Sequence, residues 1–147
     1  MPNKMLYTIG FTKKKAETFF EILKRAGIVK LIDIRLNNVS QLAGFTKRDD
    51  LVYFLQEICN CSYLHQPDFA PTKDILDAYK KNEIDWKEYV KRFTLLIKDR
   101  AIEEKVTSEE LQDACLLCSE PTAEKCHRRL VAEYFKQKFP DIEIRHL

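Results

Sequence analysis

The sequence predicts a three-layer α/β/α sandwich with a mostly parallel sheet of about five strands, folded as a single domain over residues 1–147. Three observations lead to this prediction. Short apolar runs alternate with amphipathic segments along the chain, as expected when helices connect parallel strands. A length of 147 residues suits one domain with one core. The composition, 45% hydrophobic and 33% charged, is typical of globular proteins.

The first half of the chain predicts three strands and two helices. LYTIG (6–10) begins as a strand and ends at a glycine, and residues 13–27 place apolar side chains on one helical face. IVKLIDIR (28–35) is almost continuously apolar, as in a strand covered on both faces. Residues 49–59 return to helical spacing, and SYLH (62–65) is a short strand.

The second half predicts three helices and two strands. The helical segments 72–82 and 85–106 each begin with an N-cap residue, threonine in the first and aspartate in the second. DACLLCS (113–119) follows as a strand, residues 123–139 form an amphipathic helix, and EIRHL (143–147) closes the chain as a strand.

Polar and reactive residues follow four of the predicted strands. Open α/β sheets bind ligands beyond the carboxyl ends of their strands, so these residues should lie along one edge of the sheet. They are Thr12 after the first strand, Asp33 and Arg35 after the second, His65 after the third, and Cys118, Ser119 and Glu120 after the fourth.

The last predicted helix brings further reactive groups to the same edge. If it begins near Ala123, then Cys126, His127 and Arg128 occupy its first turns, where free N–H groups and the helix dipole favour anions. We expect this setting to activate the Cys126 thiol in part. Arg128 or Arg129 would hold a phosphate or carboxylate, and since consecutive helical residues point about 100° apart, only one of them should face the site.

Four parts of the sequence carry a family resemblance. They are TIGFT (8–12), LIDIR (31–35) with QLAGFTKRDDL (41–51), YLHQPDFAP (63–71) and LLCSEPTAEKCHRRLVAEYF (116–135). Together they resemble a small bacterial and archaeal family known as domain of unknown function 488, over nearly the whole chain. The resemblance implies an α/β fold with its site at the edge described above. The family motifs correspond to Thr8 to Thr12, Asp33 to Arg35, His65, Cys118 to Glu120, and Cys126 to Arg128.

Two positions depart from the pattern of that family. Many members have histidine and serine after the glycine of the first strand, where this chain has Phe11 and Thr12. Many also have an arginine- and proline-rich loop after the second strand, where this chain reads LNNVSQLAGF (36–45). The second departure weakens the case for nucleic-acid binding through that loop, and the formal net charge of +2 provides no other support for it.

Several residues have a structural as well as a functional interpretation. Cys115 and Cys118 form a C-x-x-C that resembles a zinc motif, but residues three apart on a strand point to opposite faces, so we expect no metal and place Cys115 in the core. Asp33 and Arg35 share a face and form either an ion pair or a ligand site. His65 is a general base or a hydrogen-bonded structural residue. Lysines at positions 13–15 are most simply a solvated helix start, but they oppose the dipole of the first helix, which favours a nearby anion.

Two functional hypotheses follow. In the first, the protein is a thiol-dependent enzyme with Cys126 or Cys118 as nucleophile, while His127 or His65 transfers protons. Glu120 orients these groups, and the substrate is a phosphorylated or nucleotide-like anion. In the second, a noncatalytic module binds a nucleotide, a nucleic-acid end or a protein through the same pocket. The predicted ligand-binding residues are Thr12, Asp33, Arg35, Ser119, Glu120, Arg128 and Arg129.

The remaining expectations concern the setting of the protein. The five cysteines are expected to be reduced, because they fall in or beside regular structure rather than in a small disulfide framework. The sequence shows neither a signal peptide nor an apolar stretch of membrane-spanning length, which predicts a cytoplasmic protein without a membrane partner. We expect no cofactor, and the oligomeric state is left open.

Overall fold

The computed structural model describes residues 3–38, 44–120 and 122–147. Its centre is a five-stranded sheet in which every pair of neighbouring strands is parallel, in the order β3-β2-β4-β1-β5. The predicted α/β sandwich with a parallel sheet is confirmed. The strands are β1 (Lys4–Gly10), β2 (Lys30–Asp33), β3 (Ser62–His65), β4 (Ala114–Cys118) and β5 (Ile142–His146).

Helices connect these strands. The predicted N-caps of two of them are present, since the Thr72 side chain accepts a hydrogen bond from the Ile75 N–H and that of Asp85 from the Glu88 N–H. The helices are α1 (Ala16–Ala26), α2 (Arg48–Phe54), α3 (Lys73–Lys80), α4 (Trp86–Asp99), α5 (Ser108–Leu111) and α6 (His127–Lys138).

Two helical predictions differ from the structure. The segment predicted as one helix over 85–106 ends at Asp99, and Ala101 adopts a left-handed backbone with φ 50° before a short 3₁₀ turn, Ile102–Glu104. The last helix begins at His127 instead of near Ala123, because Cys126 is extended and serves as its N-cap. The Glu120 and Glu124 carbonyls that precede it accept hydrogen bonds from arginine side chains.

The sheet separates two hydrophobic cores. On one face Leu6 and Leu116 pack with residues of α4 and α6, and on the other Ile9, Cys115 and Leu117 pack with residues of α1 and α2. Alternation along β4 therefore buries the Cys115 side chain in the second core. The predicted core position of Cys115 is confirmed. Cys118, three residues on, contacts α6 on the opposite face.

Candidate active site

The centre of the site is Arg128, whose side chain is 1% exposed. Its Nε donates to Thr8 Oγ1 at 3.2 Å, and its Nη1 donates to Cys118 Sγ at 3.1 Å and to the Glu120 carbonyl at 2.6 Å. A buried guanidinium is costly unless its donors are satisfied and a negative charge lies close by. The arrangement therefore favours a thiolate at Cys118.

The backbone of Gly10 lies very close to that of Glu120, and this close approach allows Arg128 to bind its three partners. Gly10 ends β1 beside Cys118, its register partner on β4. A Cβ at Gly10 would stand 1.5 Å from the Glu120 carbonyl oxygen and 2.5 Å from Arg128 Nη1. Only glycine leaves room for the loop after β4 to fold over the end of β1.

The sulfur of Cys118 is surrounded by hydrogen-bond donors. Burial opposes its ionisation, but hydrogen bonds from the Cys126 thiol, the Arg128 guanidinium and the Glu120 backbone N–H, together with the charge of Arg128, outweigh burial. The net result is a pKa of Cys118 below its ordinary value. The side chain itself is fully buried.

The pKa of Cys126 is raised above its ordinary value, whereas that of Cys118 is lowered. Burial and the neighbouring Cys118 sulfur raise the pKa of the Cys126 thiol, although the Arg128 backbone N–H and guanidinium oppose the rise. The expectation that the helix N-terminus would activate Cys126 is therefore wrong for the resting site. Two adjacent thiols cannot both ionise easily, and the guanidinium directs the single charge to Cys118.

His127 is held in one tautomer. Its Nε2 lies 2.8 Å from the Ile34 carbonyl, which can only accept, so Nε2 carries the proton. The Nδ1 lone pair then faces Cys126 Sγ at 4.0 Å. Burial lowers the pKa of His127 to about 4, and the positive charge of Arg128 acts in the same direction. The imidazole is neutral at pH 7 and packs edge-on against Phe93.

A second polar cluster lies at the ends of β2 and β3. Arg35 donates from Nε and Nη2 to the two oxygens of the buried Asp33 carboxylate at 2.9 and 2.8 Å, and Nη2 also donates to the Thr46 carbonyl at 2.7 Å. The Tyr63 hydroxyl donates to Asp33 at 2.6 Å. The ion pair expected of Asp33 and Arg35 is observed, and their role in ligand binding stays a prediction. His65 Nε2 donates to the Arg35 carbonyl at 2.8 Å, a structural contact.

The other predicted site residues divide between the sheet edge and the surface. The Thr12 N–H donates to the Ser119 carbonyl at 3.0 Å, which joins the segments after β1 and β4. Arg129 points away from the cysteines: Nη1 donates to the Glu124 carbonyl at 2.6 Å, and the guanidinium lies over Trp86 at 6.0 Å from the ring centre.

Three residues outside the predicted set of site residues also contribute. Thr8 Oγ1 accepts from Arg128 Nε at 3.2 Å and forms a hydrogen bond of 2.6 Å with His146 Nδ1. His146 is the last residue of β5, which pairs with β1. Its place at the end of a strand was the feature of the sequence that could have identified it as a site residue. Lys14 is half-buried and interacts electrostatically with Arg128 and Cys118, and its pKa is lowered chiefly by burial. It belongs to the lysine run that indicated a nearby anion.

A cavity of about 390 Å³ opens beside the cysteines, at the carboxyl edge of the sheet. Cys126 and His127 form part of its wall, whereas Cys118 lies behind them. The opposite wall comes from α3. Aromatic and apolar groups line it together with polar and charged residues, which are Arg35, Asn37, Lys80, Ser119, Glu120 and Lys125.

Fold and site together define a parallel α/β protein with a buried Cys-Cys-Arg cluster next to a cavity at the sheet edge. The chain belongs to the family described as domain of unknown function DUF488, whose model matches residues 15–135. Neither the curated proteins nor the solved structures contain a match to the chain. Within residues 3–38, 44–120 and 122–147, no helix is long and apolar enough to cross a membrane.

Proposed function

We propose that this protein is a thiol-dependent enzyme that acts on a phosphorylated or nucleotide-like ligand bound in the cavity, with Cys126 as the nucleophile. The observation that carries the proposal is the pair of interacting cysteines, Cys118 and Cys126, beside Arg128, whose Nη1 donates to Cys118 Sγ at 3.1 Å. Of the two cysteines, Cys126 lines the cavity, while Cys118 is fully buried and does not.

Sharing of one proton supports nucleophilic attack by Cys126. The pKa of Cys118 is lowered and that of Cys126 is raised, so of the two thiols Cys118 ionises first and Cys126 keeps its proton longer. Transfer of that proton to Cys118 as the ligand approaches would leave a thiolate on the cavity side, where the Arg128 backbone N–H stabilises it. Cys118 acts as the base in this scheme, and the arginine keeps the negative charge within the pair.

The chemistry of the cavity wall supports an anionic ligand with a flat or apolar part. Lys80 and Lys125 supply positive charge, and α6 directs its N-terminus toward the same space. Phe11, Tyr79 and Tyr89 supply aromatic surface of the kind that stacks on a base or sugar. Arg128 Nε and Nη1 are directed at Thr8, Cys118 and Glu120, so in this proposal Arg128 holds the cysteine pair, and its binding of the ligand stays a prediction.

The remaining roles follow from position. The His127 Nδ1 lone pair faces Cys126 at 4.0 Å, so His127 accepts a proton from a bound water during turnover, while Cys118 takes the thiol proton. Glu120 lies on the cavity wall and its carbonyl anchors Arg128, so it positions the guanidinium. Asp33 and Arg35 stabilise the edge of the sheet through their ion pair.

A substrate screen tests the proposal. Purified protein is incubated with a panel of nucleotides and phosphomonoesters, turnover is followed by chromatography, and binding is followed separately by thermal shift. We expect turnover of at least one compound, with loss of turnover and retained binding in Cys126→Ser. The matched control is Cys59→Ser, a half-buried cysteine packed against α1, which should leave turnover unchanged.

The second candidate is a noncatalytic module that binds the same class of ligand. The resting protonation states favour it, because a protonated Cys126 and a weakly basic His127 are poorly suited to catalysis at pH 7. This alternative predicts binding without turnover, and binding that survives the double substitution of Cys118 and Cys126 by serine. Such a result would replace the enzyme hypothesis.

A further inference from the structure

We propose that Cys118 and Cys126 form a redox-active dithiol, which a hydroperoxide that enters the cavity oxidises to an intramolecular disulfide. This inference does not depend on the proposed function, because it requires only the two sulfurs, Arg128 and access from the cavity. It assigns to the pair a modification that requires neither a substrate nor turnover.

The geometry of the pair supports the assignment. The side chains of Cys118 and Cys126 interact with each other electrostatically, and Arg128 Nη1 donates to Cys118 Sγ at 3.1 Å. Disulfide formation requires neighbouring sulfurs, one of them able to react as a thiolate. The other cysteines lack this setting: Cys115 lies in the core on the opposite face of the sheet, and Cys59 Sγ contacts the Phe20 carbonyl.

Access decides which sulfur is oxidised first. Cys118 is 0% exposed, whereas Cys126 forms part of the cavity wall. The cavity, of about 390 Å³, is large enough for hydrogen peroxide. The Cys126 sulfur therefore meets the oxidant, and Cys118 is placed to resolve the product.

The oxidation proceeds in two stages, formation of a sulfenic acid on Cys126 and its conversion to a disulfide with Cys118. The Cys126 proton moves to Cys118, and the Cys126 thiolate attacks one peroxide oxygen, which breaks the O–O bond and forms a sulfenic acid. The departing hydroxide takes the proton from Cys118 and leaves as water. The Cys118 thiolate then attacks the Cys126 sulfur, forms the S–S bond and expels hydroxide, which a solvent proton converts to the second water. The two sulfurs lose two electrons in total, which reduce one peroxide to two waters.

Peptide mapping tests the proposal with the full chain. The protein is treated with hydrogen peroxide, free thiols are blocked, and the chain is digested with trypsin, which cleaves after Lys105, Lys125 and Arg128. The two cysteines then lie in separate peptides, 106–125 and 126–128. We expect these peptides to be joined after oxidation and separate again after treatment with a thiol reductant.

Two variants make the result specific. Peptide 106–125 also contains Cys115, so the joined pair must persist in Cys115→Ala. In Cys118→Ser the joined pair should disappear, and a dione reagent should trap a sulfenic acid on Cys126. The wild-type and Cys115→Ala maps stand on their own if Cys118→Ser fails to fold. A bond through Cys115, sulfinic acid on Cys126 beside an unmodified Cys118, or inert thiols at peroxide concentrations that oxidise the unfolded chain would each overturn the proposal.

Discussion

The α-carbon of Gly10 lies directly against the backbone of Glu120, so that a Cβ on Gly10 would meet the Glu120 carbonyl oxygen at 1.5 Å. The same carbonyl accepts a 2.6 Å hydrogen bond from Arg128 Nη1. The end of β1, the loop after β4 and the buried guanidinium are therefore packed as one unit. Any side chain at Gly10 must displace a backbone oxygen and the arginine bound to it.

The first prediction concerns Gly10→Ala. The added methyl group cannot be accommodated by moving a flexible side chain, so the loop after β4 must shift, at a cost of about 3 kcal/mol in the free energy of unfolding. Denaturant unfolding of both proteins measures the change. Gly44→Ala is the matched control, because a Cβ there has open space around it, and it should change stability by less than about 0.5 kcal/mol. Equal effects at the two glycines would contradict the packing described.

The second prediction concerns Arg128→Lys. Lysine keeps the positive charge but cannot donate at once to Thr8, Cys118 and the Glu120 carbonyl, so the pKa of Cys118 should rise toward its ordinary value. The thiolate absorbance in the far ultraviolet, recorded against pH and corrected with Cys118→Ser, measures the shift. Arg129→Lys is the control, since Arg129 points away from the cysteines. An unchanged titration in Arg128→Lys would show that the guanidinium does not hold the thiolate.

The third prediction concerns stability at acid pH. The pKa of His127 is about 4 in the folded protein and 6.5 ordinarily. Between these two pH values the unfolded chain binds a proton at His127 that the folded chain does not bind. Stability should therefore fall as the pH decreases from about 6.5 to about 4, by about 3 kcal/mol from this residue. The free energy of unfolding, measured across this window, checks the slope.

The matched variant for the pH experiment is His127→Gln, whose amide nitrogen can still donate to the Ile34 carbonyl but takes up no proton. Its stability should fall less steeply than that of the wild type. Part of the pH dependence that remains in His127→Gln comes from His146, whose pKa is also lowered by burial. Identical slopes in the two proteins would refute the assignment of the acid sensitivity to His127.

The fourth prediction concerns Tyr63→Phe. The Tyr63 hydroxyl donates to the fully buried Asp33 carboxylate at 2.6 Å and accepts from Asn38 Nδ2 at 3.0 Å. Its removal takes a donor from a buried charge, which should cost about 2 kcal/mol. Thermal or denaturant unfolding measures the loss. Tyr53→Phe is the control, since Tyr53 is 62% exposed, and a comparable loss there would argue against a specific role for the Asp33 contact.

Much of the fold was predictable because it depends on local patterns. The nearly continuous apolar character of IVKLIDIR indicated a strand covered on both faces, and the caps at Thr72 and Asp85 act within one helical turn. The break after Asp99 was not predictable in this way, because helical spacing continues into a segment where Ala101 takes a left-handed backbone. The start of α6 was misplaced because two carbonyls before it accept hydrogen bonds from arginine side chains.

By itself, the sequence determined the order of strands and helices, the edge of the sheet where polar residues gather, and the presence of Cys118, Cys126, His127 and Arg128 at that edge. These follow from periodicity and from the geometry of parallel sheets. Only the tertiary structure decided that the negative charge favours Cys118 over Cys126. The physical reason is that a pKa depends on burial and on the donors within a few ångströms, and here those donors, from Glu120, Cys126 and Arg128, surround the Cys118 sulfur only once the loop after β4 has folded against the end of β1.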